Sequence, residues 1–294
     1  MDVPPRPEAL TAAFAHCDAA VREGDKDRWL ASLFAPEDRR ADLLALYAFN
    51  LEVASVRERV REALPGEVRL QWWRDVLEGA GRGDVQSHPV AAALLDVVQR
   101  HRLSVAPLVA LIDARVADLY DDLFPTVGDL EGYCGETSSA VMQMAALILC
   151  GGDDPRSADL AGHAGIAYAV AGMLRSFAPL AAAGRVQLPA EMLEAQGVTR
   201  EDIVARRKPE AVRLVRNEAI ALARRHLAAA EAAMSGADRR TLAAFVGLAT
   251  VGPRLDRLSR HTDPFAPAPD LPQWRRQWAM WRWARRWARQ DRRA

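Results

Sequence analysis

The sequence predicts an all-α protein, and three observations support this. Ala, Leu, Arg and Glu, which favour helices, are abundant in the 294 residues, whereas β-branched and aromatic residues are sparse. Apolar residues recur at helical spacing through most of the chain. Half of the residues are hydrophobic and 27% are charged, the balance of a chain that buries a large core. We therefore expect helices packed around a single core.

Periodic segments and breakers together predict the helix boundaries. Pro and Gly fall between the periodic segments and mark where the helices end. No repeat of fixed period is present, which argues against a helical solenoid. A Pro-rich connector at 263–271 separates a helical body at 1–262 from a C-terminal segment at 272–294. The predicted helices are 8–23, 27–34, 37–63, 67–79, 88–102, 105–121, 127–150, 156–182, 210–235, 238–261 and 272–290.

Cysteine and histidine spacing gives no sign of a disulfide framework or a zinc site. Cys17, Cys134 and Cys150 form no C-x-x-C pair, and the six histidines show no H-E-x-x-H spacing. The N-terminus lacks a basic start followed by an apolar stretch, and no uncharged apolar run reaches the roughly 18 residues of a spanning helix. We expect a cytoplasmic protein that does not cross a membrane.

The charge is balanced overall but unevenly placed. The formal net charge of zero argues against a nucleic-acid binder. Residues 271–294 hold eight Arg and one Asp, a net charge of +7, so residues 1–270 carry −7. This asymmetry predicts that the C-terminal segment meets an acidic surface.

Two stretches of the sequence carry motifs that can be compared with known families. The first runs from Asp27 to Arg40 and continues into Leu46-Tyr47-Ala48-Phe49. The second contains Gly165-Ile166-Ala167-Tyr168, Leu174-Arg175 and Gly184-Arg185-Val186-Gln187-Leu188-Pro189, and Tyr133-Cys134 lies between the two stretches. Together they resemble the motifs of squalene and phytoene synthases, which join two isoprenoid diphosphates head to head. The resemblance implies the isoprenoid synthase fold, a single-domain helical bundle around a central cavity.

The chemistry of that family depends on aspartates that bind Mg²⁺, which in turn binds the diphosphate and neutralises its growing charge. In this chain, four of the corresponding positions carry no acid: Ala54, Ser55, Ser176 and Leu180. Only Glu58 keeps a carboxylate, and Ala169 and Gly172 replace polar residues. We therefore expect no catalytic residues, no metal and no cofactor. Pro179 further predicts that the second motif's helix stops or kinks.

An active prenyl transferase with Mg²⁺ on relocated ligands remains an alternative. Asp113, Asp118, Asp121 and Asp122 cluster at one predicted helix end, with Asp118 and Asp122 one turn apart. A solvated helix end is the simpler interpretation. Glu52 and Glu136 are further acids that can point inward.

The resemblance also implies candidate ligand or cavity residues, which are Tyr47, Arg57, Tyr133, Tyr168, Arg175 and Arg185. Arginines at such positions can hold an anion by forked hydrogen bonds, although surface or salt-bridged arginines are commoner. A further hypothesis is that the protein is a binding module that holds an isoprenoid or a lipid in this cavity. Two adjacent indoles, Trp72 and Trp73, cannot both face one side of a helix. Either one belongs to the core and the other lines a cavity or a partner surface, or both belong to the core.

The motifs around Tyr47, Trp72 and Tyr133 most resemble a divergent branch of the family that acts in the assembly of respiratory complex I (NADH dehydrogenase) in mitochondria. The resemblance therefore implies complex I subunits or assembly intermediates as partners, without prenyl transfer.

The C-terminal segment predicts a basic amphipathic helix rich in Trp. Its apolar residues project onto one broad arc, and Arg275, Arg282, Arg286, Arg289 and Arg293 lie opposite. This pattern is typical of a helix in the interface of an anionic membrane, here at the inner face of the cytoplasmic membrane. Docking on the acidic body is the alternative. The candidate membrane contacts are Trp274, Trp278, Trp281, Arg275, Arg282 and Arg289.

Overall fold

The computed structural model describes residues 8–81, 83–120, 122–268 and 270–289, and within them it contains helices and no strand. This confirms the predicted all-α class. The helices are α1 Glu8–Gly24, α2 Lys26–Ser32, α3 Glu37–Ala54, α4 Val56–Arg59, α5 Ala63–Leu77, α6 Pro89–His101, α7 Ala106–Val116, α8 Val127–Cys134, α9 Ala140–Leu149, α10 Ala158–Ala182, α11 Ala190–Ala195, α12 Arg200–Val204, α13 Pro209–Ala233, α14 Leu242–Phe245, α15 Val251–Arg260 and α16 Gln273–Arg289.

Four predicted helices are shorter or more broken than the periodicity indicates. The segment 37–63 breaks at Ser55, whose hydroxyl donates to the carbonyl of Glu52 at 3.0 Å. The segment 105–121 ends its α-helix at Val116, and a 3₁₀ turn follows over Ala117–Leu119. A π-helical turn, Gly135–Ser139, interrupts 127–150, and the 3₁₀ turns Arg239–Thr241 and Val246–Thr250 divide 238–261.

Two prolines lie inside helices where a stop was expected or a later start was predicted. Helix α5 begins at Ala63, before Pro65, and not at residue 67, because the first turn of a helix tolerates a residue that lacks an N–H. Helix α10 runs through Pro179 and ends at Ala182, the boundary that the periodicity predicts, so the helix does not stop at Pro179. Near a C-terminus the proline removes a backbone hydrogen bond from the last turns only, which the helix survives.

Contacts divide the chain into two compact units, Met1–Leu119 with Gln143–Arg156 and Asp238–Ala244, and Tyr120–Met142 with Ser157–Ala237 and Phe245–Ala294. In the first unit, α1 packs on α3 and α6, α3 on α6, and α5 on α7. Phe49, Leu94 and Leu111 are fully buried there. A buried pair, His101 Nε2 with Asp42 Oδ2 at 2.7 Å, ties α6 to α3.

The second unit is built on α10. This helix packs along α13 and also contacts α15 and the π-helical turn. A Cβ added at Gly165 would lie 2.3 Å from the backbone nitrogen of Ser139, so only glycine permits this close approach. Helix α16 packs on the 3₁₀ turn Val246–Thr250. The predicted domain boundaries at residues 262 and 272 stay a prediction.

Helix α10 is also long and apolar enough, by length and composition, to cross a membrane. It is the one such helix among the described residues, and 56% of its apolar window is buried inside the protein. A core helix passes the same test, and the contacts with α13 are those of a core helix.

Candidate functional site

The first motif lies in the first unit, where α3 ends. Ala54 and Ser55 are half-buried at the break between α3 and α4, and Glu58 is exposed one turn later. The half-buried Arg57 directs Nη1 towards the carbonyl of Val60 at 3.5 Å. The one carboxylate that the motif keeps is therefore a surface side chain.

The nearest conspicuous acid in this region is Glu52, one turn before the break. Its Oε2 lies 3.6 Å from His88 Nε2, and their side chains are 22% and 35% exposed. Burial raises the pKa of Glu52, although Arg59 and His16 lower it. Burial lowers the pKa of His88, and the charge of His16 adds to this effect. Both shifts favour the neutral forms, so this pair is a weak ion pair.

The second motif lies on α10 in the second unit. Ser176 and Leu180 are half-buried and supply no carboxylate. Arg175 is committed to the chain itself, because its Nη1 lies 3.3 Å from Asp270 Oδ2. The same carboxylate accepts from Arg254 and Arg276 at 3.2 and 2.7 Å. Burial alone would raise the pKa of Asp270, but Arg254, the Leu271 N–H, Arg276 and Arg175 together lower it.

Other predicted acids do not converge. Asp113 pairs with Arg74 at 2.7 Å, and Asp118 pairs with Arg115 at 3.1 Å. Asp122 is exposed, and Asp121 lies outside the described residues. No group of three or more His, Cys, Asp or Glu side chains is placed to hold a metal ion in the part of the chain that the structure describes. The donor set at the motif positions does not fit a Mg²⁺ site.

The candidate tyrosines are mostly buried in the helical packing. Tyr47 is 3% exposed under the guanidinium of Arg28, and burial raises its pKa to about 12, with Arg28 lowering it and Asp25 raising it. Tyr133 is buried with its ring centroid 5.1 Å from that of Phe124. Tyr168 and Arg185 are half-buried. The candidates thus belong to two units, Tyr47 and Arg57 to the first and the other four to the second.

Helix α16 divides its indoles between two faces. Met280, Trp283 and Trp287 are buried and form its inner face, and Trp287 stacks on Phe245 with ring centroids 6.3 Å apart. Trp274, Trp278 and Trp281 are 62%, 54% and 43% exposed and form what we call the Trp ridge. Packing within the second unit therefore covers one part of the predicted apolar arc and leaves the other part, with the three predicted membrane-contact indoles, exposed. Arg275, Arg282 and Arg289 are exposed, and Arg293 lies outside the described residues.

Three features escaped prediction from the sequence. Asp270 lies in the connector, where a Pro-rich composition indicates a linker. His226 bonds His163 Nδ1 at 3.0 Å and Glu131 at 2.9 Å, and these residues come from three separated helices. Glu52 and His88 are also far apart in the sequence. Contacts between residues on different helices are visible only in the three-dimensional structure.

Comparison with known proteins identifies the family. The sequence profile of squalene/phytoene synthase matches residues 21–282. The chain belongs to the squalene/phytoene synthase family. A solved dehydrosqualene synthase superposes with a TM-score of 0.78 over 95% of this chain and 97% of that one, at 18% identity. This likeness confirms the predicted isoprenoid synthase fold.

Curated relatives include both assembly factors and enzymes. The human protein "NADH dehydrogenase (ubiquinone) complex I, assembly factor 6" is 31% identical over 212 residues, which are 72% of this chain. The chain spans 63% of the length of that relative. The chloroplastic phytoene synthase 1 of Arabidopsis thaliana is 27% identical over 67% of this chain and 47% of its own.

Proposed function

We propose that this chain is a non-catalytic member of its family that acts in the assembly of respiratory complex I. The observation that carries the proposal is the 31% identity with the human assembly factor across 72% of the chain. The motif positions support it. They supply one exposed carboxylate, Glu58, whereas Mg²⁺ needs carboxylates prepared in octahedral geometry together with the diphosphate.

We further propose that the protein works at an anionic membrane surface, at the inner face of the cytoplasmic membrane. The Trp ridge and the exposed arginines of α16 support this placement, since indoles favour the headgroup level and each basic residue near such a surface contributes about 1 kcal/mol. An isoprenoid or lipid ligand is also part of the proposal. Tyr47 in the first unit and Tyr133 in the second are each packed against protein side chains.

Gene deletion tests the assembly role. In the organism that carries the gene, deletion should lower the amount of assembled NADH dehydrogenase and its activity, while squalene, carotenoid and hopanoid levels stay unchanged. Native gels with activity staining measure the first, and lipid extracts the second. Complementation with the intact gene is the control. Lower isoprenoid products with normal NADH dehydrogenase would instead favour the prenyl transferase.

Co-sedimentation with lipid vesicles tests the membrane placement. The protein should bind vesicles that contain phosphatidylglycerol, and added salt should weaken the binding because it screens the arginines. Binding that is equal for neutral and anionic vesicles, or no binding at any salt concentration, would contradict it.

A further inference from the structure

A groove of about 500 Å³ runs beside the Trp ridge, wholly within the second unit. Helix α13 supplies Leu227, the turn Val246–Thr250 supplies Leu248, and the connector supplies Leu271. The indoles of Trp274, Trp278 and Trp283 line it from α16. Its volume lies within the range of small-molecule sites, which are mostly apolar with a few polar groups.

The charges that line this groove are predominantly positive. Two acids, Glu231 and Asp256, face five arginines, and Asp256 already pairs with Arg224 at 2.8 Å. Within the described ranges, no carboxylate lies within 4.0 Å of the guanidinium of Arg260, Arg282 or Arg286. The lining arginines are Arg257, Arg260, Arg275, Arg282 and Arg286.

An apolar lining with cationic groups beside it selects one class of ligand. A purely ionic ligand would leave the leucines and indoles exposed to water. A purely apolar ligand would leave the arginines without an anionic partner. A ligand with an anionic phosphate and an alkyl chain satisfies both, because guanidinium groups bind phosphate oxygens in forked geometry and the chain buries apolar surface.

We propose that this groove binds a single acidic phospholipid of the membrane, with its phosphate at the arginines and one acyl chain along the leucines. Charge complementarity and the adjacent Trp ridge select a bilayer lipid. The inference rests on the proposed membrane placement and adds a specific site to it: the ridge provides general contact with the surface, and the groove takes one lipid molecule out of it.

Gly252 provides a means of closing the groove. It lines the groove, and a Cβ built on it meets only Leu227 Cδ2 within 4 Å, at 3.7 Å. The substitution Gly252→Leu therefore adds a side chain to the groove lining whose Cβ makes only an ordinary contact with Leu227, and leucine favours helix over glycine. Gly162→Leu is the matched control, because a Cβ there meets nothing within 4 Å and the position lies on α10, away from the groove lining.

The experiment uses a soluble lipid, so that it does not depend on the membrane. Native mass spectrometry and calorimetry with dihexanoyl phosphatidylglycerol, below its micelle concentration, should show one molecule bound by the full chain. Gly252→Leu should weaken this binding at least tenfold, and Gly162→Leu should leave it unchanged. Circular dichroism melts check that all variants are folded.

A second variant removes the charges and leaves the groove open. Arg282→Gln with Arg286→Gln, both at exposed positions, should weaken binding at least fivefold and remove the preference over dihexanoyl phosphatidylcholine. If Gly252→Leu and the wild type bind dihexanoyl phosphatidylglycerol equally well, the groove is not the lipid site. Binding of glycerol phosphate as tight as that of the lipid overturns the acyl-chain site. If the protein binds vesicles but not the soluble lipid, the membrane contact of the Trp ridge is supported and the single-lipid site is overturned.

Discussion

Asp270 joins three arginines of the second unit through one carboxylate. Arg175, Arg254 and Arg276 come from α10, α15 and α16, so this residue of the connector fastens three helices. Its side chain is 30% exposed, and the arginines outweigh the effect of burial and lower its pKa. The stability that it contributes is therefore present above its unfolded pKa and is lost as the pH falls through the folded value.

Asp270→Asn should lower the free energy of unfolding by about 1–3 kcal/mol at pH 7, because the arginines lose a shared anion. Urea denaturation measures the change. Asp256→Asn is the control, since its pair with Arg224 is about half exposed and such pairs contribute at most about 1 kcal/mol. Equal effects of the two substitutions would show that Asp270 does not fasten the helices.

Glu52 and His88 make the stability of the folded state depend on pH in opposite directions. The raised pKa of Glu52 means that the folded state binds its proton more tightly, so this residue lowers stability as the pH rises above its unfolded pKa. The lowered pKa of His88 means that stability is complete above about 6.5 and is lost as the pH falls towards the folded value.

Glu52→Gln should therefore raise the free energy of unfolding at pH 8 by about 0.5–1 kcal/mol, because it removes a half-buried charge. Urea titrations at pH 8 and pH 5 should show a smaller gain at the lower pH, where the wild-type carboxyl is more protonated. Glu58→Gln, at an exposed position, should change stability by less than about 0.5 kcal/mol. A less stable Glu52→Gln at pH 8 would mean that the attraction of Arg59 and the contact with the neutral His88 ring stabilise the carboxylate more than burial destabilises it.

At the scale of elements, α16 serves two purposes with one sequence. Its inner face contributes to the core of the second unit, and its Trp ridge is left for another surface. Because one helix carries both buried and exposed indoles, separate substitutions can test the stability of the protein and its binding to anionic vesicles.

Trp283→Ala and Trp287→Ala should each lower the free energy of unfolding by about 3–5 kcal/mol, because each opens a cavity in the packed core. Replacing Trp274, Trp278 and Trp281 together with Ala should leave the thermal midpoint nearly unchanged and reduce binding to anionic vesicles, since it removes apolar area that charge does not replace. Differential scanning calorimetry and co-sedimentation measure the two effects. If instead the ridge variant unfolds and vesicle binding persists, the ridge is part of the core.

The chain keeps the fold of its family over most of its length, while its motif positions retain one carboxylate, that of Glu58. Fold and activity are separable, because the fold depends on the buried apolar positions and catalysis on a few side chains.

The purified protein given farnesyl or geranylgeranyl diphosphate with Mg²⁺ should release no diphosphate above the background of a reaction without protein. A phosphate-coupled assay measures the release. A parallel reaction with chelator is the control. Turnover that the chelator abolishes would establish a relocated metal site. Asp restored at Ala54, Ser55, Ser176 and Leu180 should not by itself restore activity, since neighbouring polar groups have also changed.

Sequence alone determined the helical class, the family and the loss of acids, because composition, spacing and motif residues are local properties of the chain. It left open whether Trp72 and Trp73 both belong to the core, and the structure shows Trp73 buried and Trp72 half-buried. Tertiary structure decided which indoles of α16 are covered, that Asp270 fastens three arginines, and where a groove opens at Gly252. All three features depend on which helices pack against each other. The periodicity of a single helix does not show which neighbour will cover it.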